Sequence, residues 1–320
     1  MNDCPNGSSK YDFHIAAFSM SSWRQLQLFF GILIIYSITL IGNLTIVLLV
    51  CLVPKLHTPM YIFLCNLALL DVTSTSASVP QLLFITWTQD HRISFGCCMT
   101  QLFFFLLCAN GEIFMLTSMA FDRYVAICKP LQYLLIMRKN VYIGMAASCW
   151  LLGLLNSTLH TLLTSFLHFC YSNIINNFYC DLNSLVDLST TDTVSRKLFI
   201  FFEVCLIAFV QFALTVISYV FIFSAILKIN SLAGRMKAFS SCTSHLVTVI
   251  LFYGPCILLY MKTDSEDSKD QNLLLSMLYM IVVPMLNPLV YSLRNKEVWG
   301  AIVKLRNIKS FRGFSRNKFL

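Results

Sequence analysis

No acid, lysine, arginine or histidine occurs anywhere between Leu26 and Val53. A helix of about 20 apolar residues crosses the roughly 30 Å hydrocarbon core of a bilayer, so this run is long enough to span one. Six further runs follow, roughly from Pro59 to Trp87, Cys97 to Phe121, Val141 to Leu167, Leu198 to Ile226, Phe239 to Met261 and Leu273 to Leu293. The second, third and fifth each hold one acid (Asp71, Glu112, Glu203), and the sixth starts on the polar string FSSCTSHL. Only 12% of the residues are charged, against about 25% in an ordinary soluble domain. In lipid the backbone must satisfy its own hydrogen bonds, so each run reads as a helix. The expected fold is an all-α membrane protein, a bundle of seven transmembrane helices.

Charge orients the bundle. With the N-terminus and the even-numbered connections on one side, that side holds seven lysines and arginines, and the opposite side holds the other sixteen of 23. Basic residues stay cytoplasmic, which puts the N-terminus outside and the C-terminus inside. Residues 1–22 lack a basic start followed by a continuous apolar core, so the first span is expected to act as its own insertion signal. The basic excess flanks membrane spans and faces anionic lipid, which argues against a nucleic-acid partner.

A single domain is expected over 1–320: an extracellular 1–24, a bundle over 25–293, and a cytoplasmic 294–320. In the last segment Val298, Ile302, Val303 and Leu305 fall at helical spacing among basic residues, which predicts a short amphipathic eighth helix on the inner membrane surface. Most of the thirteen cysteines lie in spans or inside, where they serve as small apolar side chains. Cys4, Cys97, Cys98, Cys170 and Cys180 fall outside, where a disulfide pinning the long fourth-to-fifth connection onto the third span is favoured; composition does not choose the pair. Of three Asn-x-Ser/Thr strings, the one at Asn6 lies outside the membrane and is the expected glycosylation site. No internal repeat, HExxH or GxSxG occurs, which argues against a transporter and against an enzyme.

Several strings resemble the rhodopsin-like G-protein-coupled receptors: Gly42-Asn43, Asp71, Asp122-Arg123-Tyr124, Trp150, and NPLVY with Asn287, Pro288 and Tyr291. Longer ones are similar to the olfactory (odorant) receptors, in its tetrapod-type branch: LHTPMYIFLCNLALLD from Leu56, MAFDRYVAICKPLQY from Met119, GRMKAFSSCTSHL from Gly234 and PMLNPLVYSLRNKEV from Pro284. The resemblance implies a plasma-membrane receptor for small volatile odorants, coupled to a stimulatory, olfactory-type G protein that raises cyclic AMP. The alternative keeps the fold with a non-odorant ligand or no coupling.

The resemblance also assigns residues. The G-protein switch would comprise Asp122, Arg123, Tyr124, Tyr219, Asn287, Pro288 and Tyr291. No acid stands at the inner end of the sixth helix, where Arg235 and Lys237 occur, so resting restraint on Arg123 is expected from Asp122, Tyr219, Tyr291 and packing. Asp71 and Glu112 would join Asn43 and Asn287 in a polar cluster that can hold Na⁺; the competing reading is protonated, hydrogen-bonded acids, since two neighbouring carboxylates rarely both ionise without a cation. No other cofactor is implied. Odorant would sit in the outer half, against Phe105, Leu106, Ala109 and Asn110 on helix three, Glu203 and Ile207 on helix five, Cys256 and Tyr260 on helix six, and Met277 and Met280 on helix seven. Phe105 replaces the aspartate that amine receptors carry. The resemblance also favours Cys98–Cys180 as the disulfide. Thr190 stands where a further cysteine is usual, leaving Cys97–Cys170 as a second pairing to test. Glu203 has two readings: outward toward Arg196 or Lys197, which is favoured, or inward toward a polar odorant. His245 is expected to fill a buried packing role.

Overall fold

The computed structural model describes residues 12–16, 22–169, 173–190, 194–260, 268–294, 298 and 300. Seven helices among them are long and apolar enough to cross a membrane. They are α1 (Ser22–Leu52), α2 (Pro59–Thr88), α3 (Phe95–Cys128), α4 (Lys139–Ser165), α5 (Val194–Leu227), α6 (Leu232–Tyr260) and α7. The last of these runs from Ser268–Met277 through a π turn, Leu278–Val282, into Val283–Arg294. Many large side chains point away from the bundle, among them Phe201, Phe202, Leu206 and Phe209 on α5. That surface suits lipid, where apolar groups cost nothing to expose and the helical backbone is already satisfied. The chain is therefore a multi-pass membrane protein.

Two boundaries differ from the sequence expectation. Helix α3 continues past the Asp122–Arg123 pair to Cys128, and α6 begins at Leu232, well before Phe239. The first turns of α6 are exposed and carry Arg235 and Lys237 beside Gly234, so hydropathy does not register them as part of a span. The predicted eighth helix lies mostly outside the described residues; Val298 and Gly300 are helical, and Val298 is buried against the inner core.

Helix starts and close approaches follow local chemistry. Ser94 caps α3, its Oγ accepting from the Cys97 amide at 3.3 Å. Pro59 opens α2, where a missing N–H is harmless. Gly42 lets α1 approach α7: a Cβ there would stand 2.8 Å from Pro288 Cγ. Gly153 does the same between α4 and α3, where a Cβ would meet the Leu107 carbonyl oxygen at 2.9 Å.

The outer end carries a feature that the helical periodicity did not reveal, a three-stranded sheet in the order β2-β1-β3. Strand β1 (Asp12–Ile15) runs antiparallel to β2 (Arg92–Ser94), with Phe13 opposite Ile93. It runs parallel to β3 (Ile174–Ile175). Phe13 and Ile15 alternate inward and are buried, and Phe13 meets Phe169 edge-on at 5.1 Å. A disulfide joins Cys98 to Cys180 with Cα atoms 5.5 Å apart, fixing the outer loop to the start of α3. Cys97 is a free, exposed thiol, while Cys4, Asn6 and Cys170 lie outside the described residues.

Next to the disulfide, Asp181 caps the short helix Leu182–Leu188, its Oδ2 accepting from Ser184 N at 3.1 Å and its Oδ1 from Asn177 Nδ2 at 3.2 Å. Burial pushes the Asp181 carboxyl above the ordinary carboxylate range despite those bonds.

Candidate functional site

The helices place the residues singled out above at three levels. In the outer half, Phe105, Leu106, Met277 and Met280 pack against one cluster together with Cys98, Tyr179 and Cys180. Rings link this level inward. Phe105 lies 5.0 Å from Tyr179 of the outer loop and 6.5 Å from Tyr279 of α7. Tyr279 then meets Phe252 of α6 at 5.5 Å, Phe252 meets Tyr253 at 5.3 Å, and Tyr253 meets Phe212 of α5 at 5.1 Å. Tyr179 and Tyr279 are absent from the sequence-based set. Ala109, Ile207 and Cys256 are half-buried, and the side chain of Tyr260 lies outside the described residues.

Glu203 turns inward, and this corrects the favoured outward reading. Its Oε1 accepts from Asn156 Nδ2 and its Oε2 from His160 Nε2, both on α4. Lys197 is engaged elsewhere, with Asp187 at 2.5 Å. Inward orientation wins because α4 offers two polar partners on one face, at positions four residues apart. Asn156 in turn accepts at Oδ1 from Asn110 Nδ2 at 2.9 Å, which ties α3, α4 and α5 into one polar set.

At mid-bundle, Asn287 Nδ2 donates to both oxygens of Asp71, at 3.2 and 3.0 Å. Asn43 instead donates to the carbonyls of Thr39 and Pro284, each at 3.0 Å. Buried oxygens Asn43 Oδ1 and Asn287 Oδ1 meet no donor among the described residues. Glu112, also buried, lies within electrostatic reach of Asp71, Cys256 and Tyr279. Asn287 Oδ1, on the amide that serves Asp71, and Asn43 Oδ1 are hard oxygen donors of the kind a small hard cation takes.

The inner level holds the switch residues. Arg123 donates to Asp122 Oδ2 from Nη2 at 2.5 Å and from Nε at 3.1 Å, and Tyr133 donates to Asp122 Oδ1 at 2.8 Å. Burial and the neighbouring Asp122 carboxylate push the Tyr133 phenol up, which keeps it a donor. Arg123 does not snorkel to water; its side chain is only 16% exposed. Among the described residues it bonds to Asp122 alone, so Tyr219 and Tyr291 do not restrain it directly, contrary to expectation. Both tyrosines are buried. Tyr124 lies tilted against Phe121 and edge-on to Phe221, with Lys129 Nζ 6.0 Å from its ring. Arg235 is exposed, its Nε donating to the Ile229 carbonyl at 2.9 Å.

Tyr219 has another partner. Its hydroxyl lies 2.7 Å from His245 Nδ1, and His245 Nε2 lies 3.0 Å from the Leu116 carbonyl oxygen. A carbonyl can only accept, so Nε2 carries the proton and Nδ1 accepts from Tyr219. His245 thus does more than pack: it bonds α6 to α3 and α5 at once. Ala120, Tyr219, Ile222, Ile226 and Cys242 close the same inner end with apolar contacts.

Helices that pass an aromatic outer level, a buried acid–amide centre and an arginine clasped by its neighbour define a seven-helix receptor of the rhodopsin-like type. Comparison with known sequences narrows the class: the chain belongs to the olfactory receptor family, whose model matches residues 32–309. Olfactory receptor 5B12 of Homo sapiens is 43% identical over 299 residues, 93% of this chain and 95% of that protein. Olfactory receptor 1G1 of Gorilla gorilla gorilla and olfactory receptor 2C1 of Mus musculus are each 42% identical over 300 residues, 94% of this chain and 96% of theirs. It is a receptor with an odorant and a G protein as partners, a class that is not enzymatic.

Proposed function

We propose that this receptor sits in the plasma membrane with its N-terminus outside, binds small, mostly apolar volatile molecules between α3, α5, α6 and α7, and activates a stimulatory, olfactory-type G protein that raises cyclic AMP. The observation that carries this reading is the run of ring contacts from Tyr179 through Phe105, Tyr279 and Phe252 to Tyr253, because it joins the outer half to the middle of α6. An apolar ligand among those rings contacts three helices, and a few polar groups fix its orientation. Phe105, Leu106, Ala109, Asn110, Glu203, Ile207, Cys256, Tyr260, Met277 and Met280 are the proposed lining.

A ligand shifts the resting equilibrium by its differential affinity for the two states. Opening separates α6 from α3 and α5, which breaks the His245 bonds and uncovers Arg123 for the Gα subunit. Tyr124, Asn287, Pro288 and Tyr291 complete the moving inner surface. With no acid in α6, the resting state is held by the closed packing and by the Asp122–Arg123 pair rather than by an ion pair across the gap. Bound Na⁺, held by Asp71, Glu112, Asn43 and Asn287, would supply positive charge that lets both acids ionise, and it would favour the resting arrangement.

The test is cyclic AMP in cells expressing the receptor and the olfactory Gα, across a chemically broad odorant panel, with staining of the N-terminus on intact cells. A response that vanishes in a surface-expressed Arg123→Ala variant is expected. Silence of a well-displayed wild type with every compound counts against an odorant-gated, stimulatory receptor.

A further inference from the structure

Neither hydropathy nor motif singles out Tyr279, yet it stands between residues of α3 and α6 that line the proposed odorant site. We infer that its hydroxyl is a hydrogen-bond donor of that site, so that the receptor selects odorants carrying an acceptor oxygen over hydrocarbons of the same shape. The inference rests on the ligand site proposed above, because it adds one residue to that lining.

Placement comes first. Tyr279 belongs to the π turn of α7, Leu278–Val282, and such turns recur at functional sites. Its ring meets Phe105 of α3 edge-on at 6.5 Å and Phe252 of α6 at 5.5 Å. Its hydroxyl lies within electrostatic reach of Glu112 and Cys108 on α3, Cys256 on α6 and Tyr179 of the outer loop. Phe105 and Cys256 belong to the proposed lining, so Tyr279 sits between two walls of the site. It is nevertheless only half-buried, while Phe252 beside it is buried. With its neighbours on α3, α6 and the outer loop, the surface that Tyr279 keeps opens between the helices and not toward lipid.

The chemistry follows from the hydroxyl. Among the described residues Tyr279 makes no hydrogen bond. A phenol has one proton to give, and a donor enclosed without an acceptor is costly. The thiols of Cys108 and Cys256 accept only weakly, and Glu112 takes no bond from it. An aldehyde, ketone, ester or alcohol oxygen lodged between Phe105 and Cys256 supplies the missing acceptor, while the surrounding rings hold the carbon chain.

The experiment compares straight-chain methyl ketones with the matching alkenes, in which a methylene group replaces the carbonyl oxygen, on surface-normalised cells, reading cyclic AMP. Wild type is expected to respond to the ketone at about tenfold lower concentration, the effect of one hydrogen bond made or left unpaired. Tyr279→Phe keeps the ring, so it is expected to level the pair by weakening the ketone alone. Tyr279→Met removes hydroxyl and ring together; it should also level the pair, and it decides the matter if Tyr279→Phe fails to reach the surface. A wild type that answers alkenes as well as ketones, or answers neither, overturns the inference. So does a Tyr279→Phe receptor that weakens both compounds equally. A preference that neither variant changes while Phe105→Ala loses the response also overturns it, an outcome that leaves the ligand site standing. If Phe105→Ala and Cys256→Phe both respond as wild type does, the ligand site itself is wrong and the inference falls with it.

Discussion

Replacing Tyr219 with phenylalanine removes one hydroxyl from the inner end of the bundle and nothing else. The ring keeps its stacked contact with His245, whose centroid lies 5.8 Å away at 7°. What disappears is the 2.7 Å bond to Nδ1, together with a longer 3.3 Å contact to the Cys242 carbonyl, and His245 is wholly buried, so its nitrogen then has no donor. A lost hydrogen bond that leaves a buried partner unsatisfied costs about 1 to 3 kcal/mol. The penalty falls on the closed state, because opening α6 gives the imidazole access to water. A bias of that size multiplies the open-to-closed ratio by roughly 5 to 150. From an open population of about 1%, the receptor reaches roughly 5 to 60% without ligand. The assay is basal cyclic AMP per receptor at the surface, measured again in a His245→Leu background. In that background Tyr219→Phe should do little, since the partner is already gone. Unchanged basal signal in a well-displayed Tyr219→Phe receptor, or an undiminished effect without His245, refutes the reasoning.

Cys98→Ser opens a link between residues 82 apart in sequence; closing a loop of that size stabilises by about 4.5 kcal/mol in the chain-entropy treatment, so surface display should largely vanish. Gly42→Ala drives a Cβ to 2.8 Å from Pro288 Cγ, two groups with little freedom to move; about 1 to 3 kcal/mol of overpacking should appear as a lower Tm of the purified receptor. Asp181 binds its proton more readily in the folded loop than in the unfolded chain, because burial raises its pKa. Stability should therefore fall as pH rises above about 4, and Asp181→Asn, an equally good helix cap, should flatten that slope in a Tm-against-pH series.

The helices were legible because a lipid-facing segment must be apolar over its whole length, and little else in a sequence mimics that. Their ends were less so. Asp122–Arg123 resembles a stop signal, yet the two charges cancel one another, Tyr133 satisfies the second carboxylate oxygen, and α3 runs on. The start of α6 escaped notice because Gly234, Arg235 and Lys237 interrupt its apolar residues as a loop would. Glu203 was misread for a related reason. Its nearby cations in sequence, Arg196 and Lys197, drew attention away from Asn156 and His160, whose spacing on α4 marks a polar stripe in an otherwise apolar helix. The sheet left almost no trace: strands of two to four residues have no usable periodicity, and their partners are remote in sequence. Motif resemblance singled out Arg123 and Asp71, but whether Tyr219 faces Arg123 or His245 depends on helix packing alone.

Strand β1 is central in the outer sheet, so a segment ahead of all seven helices separates two loops made later in synthesis. Residues Asp12–Ile15 are made before all seven helices, yet their parallel neighbour at Ile174–Ile175 does not exist until α4 has been made. The cap can therefore close only on a chain that has already threaded four helices in the right orientation. A chain with a reversed early helix would leave β1 without its neighbours and Phe13 and Ile15 uncovered.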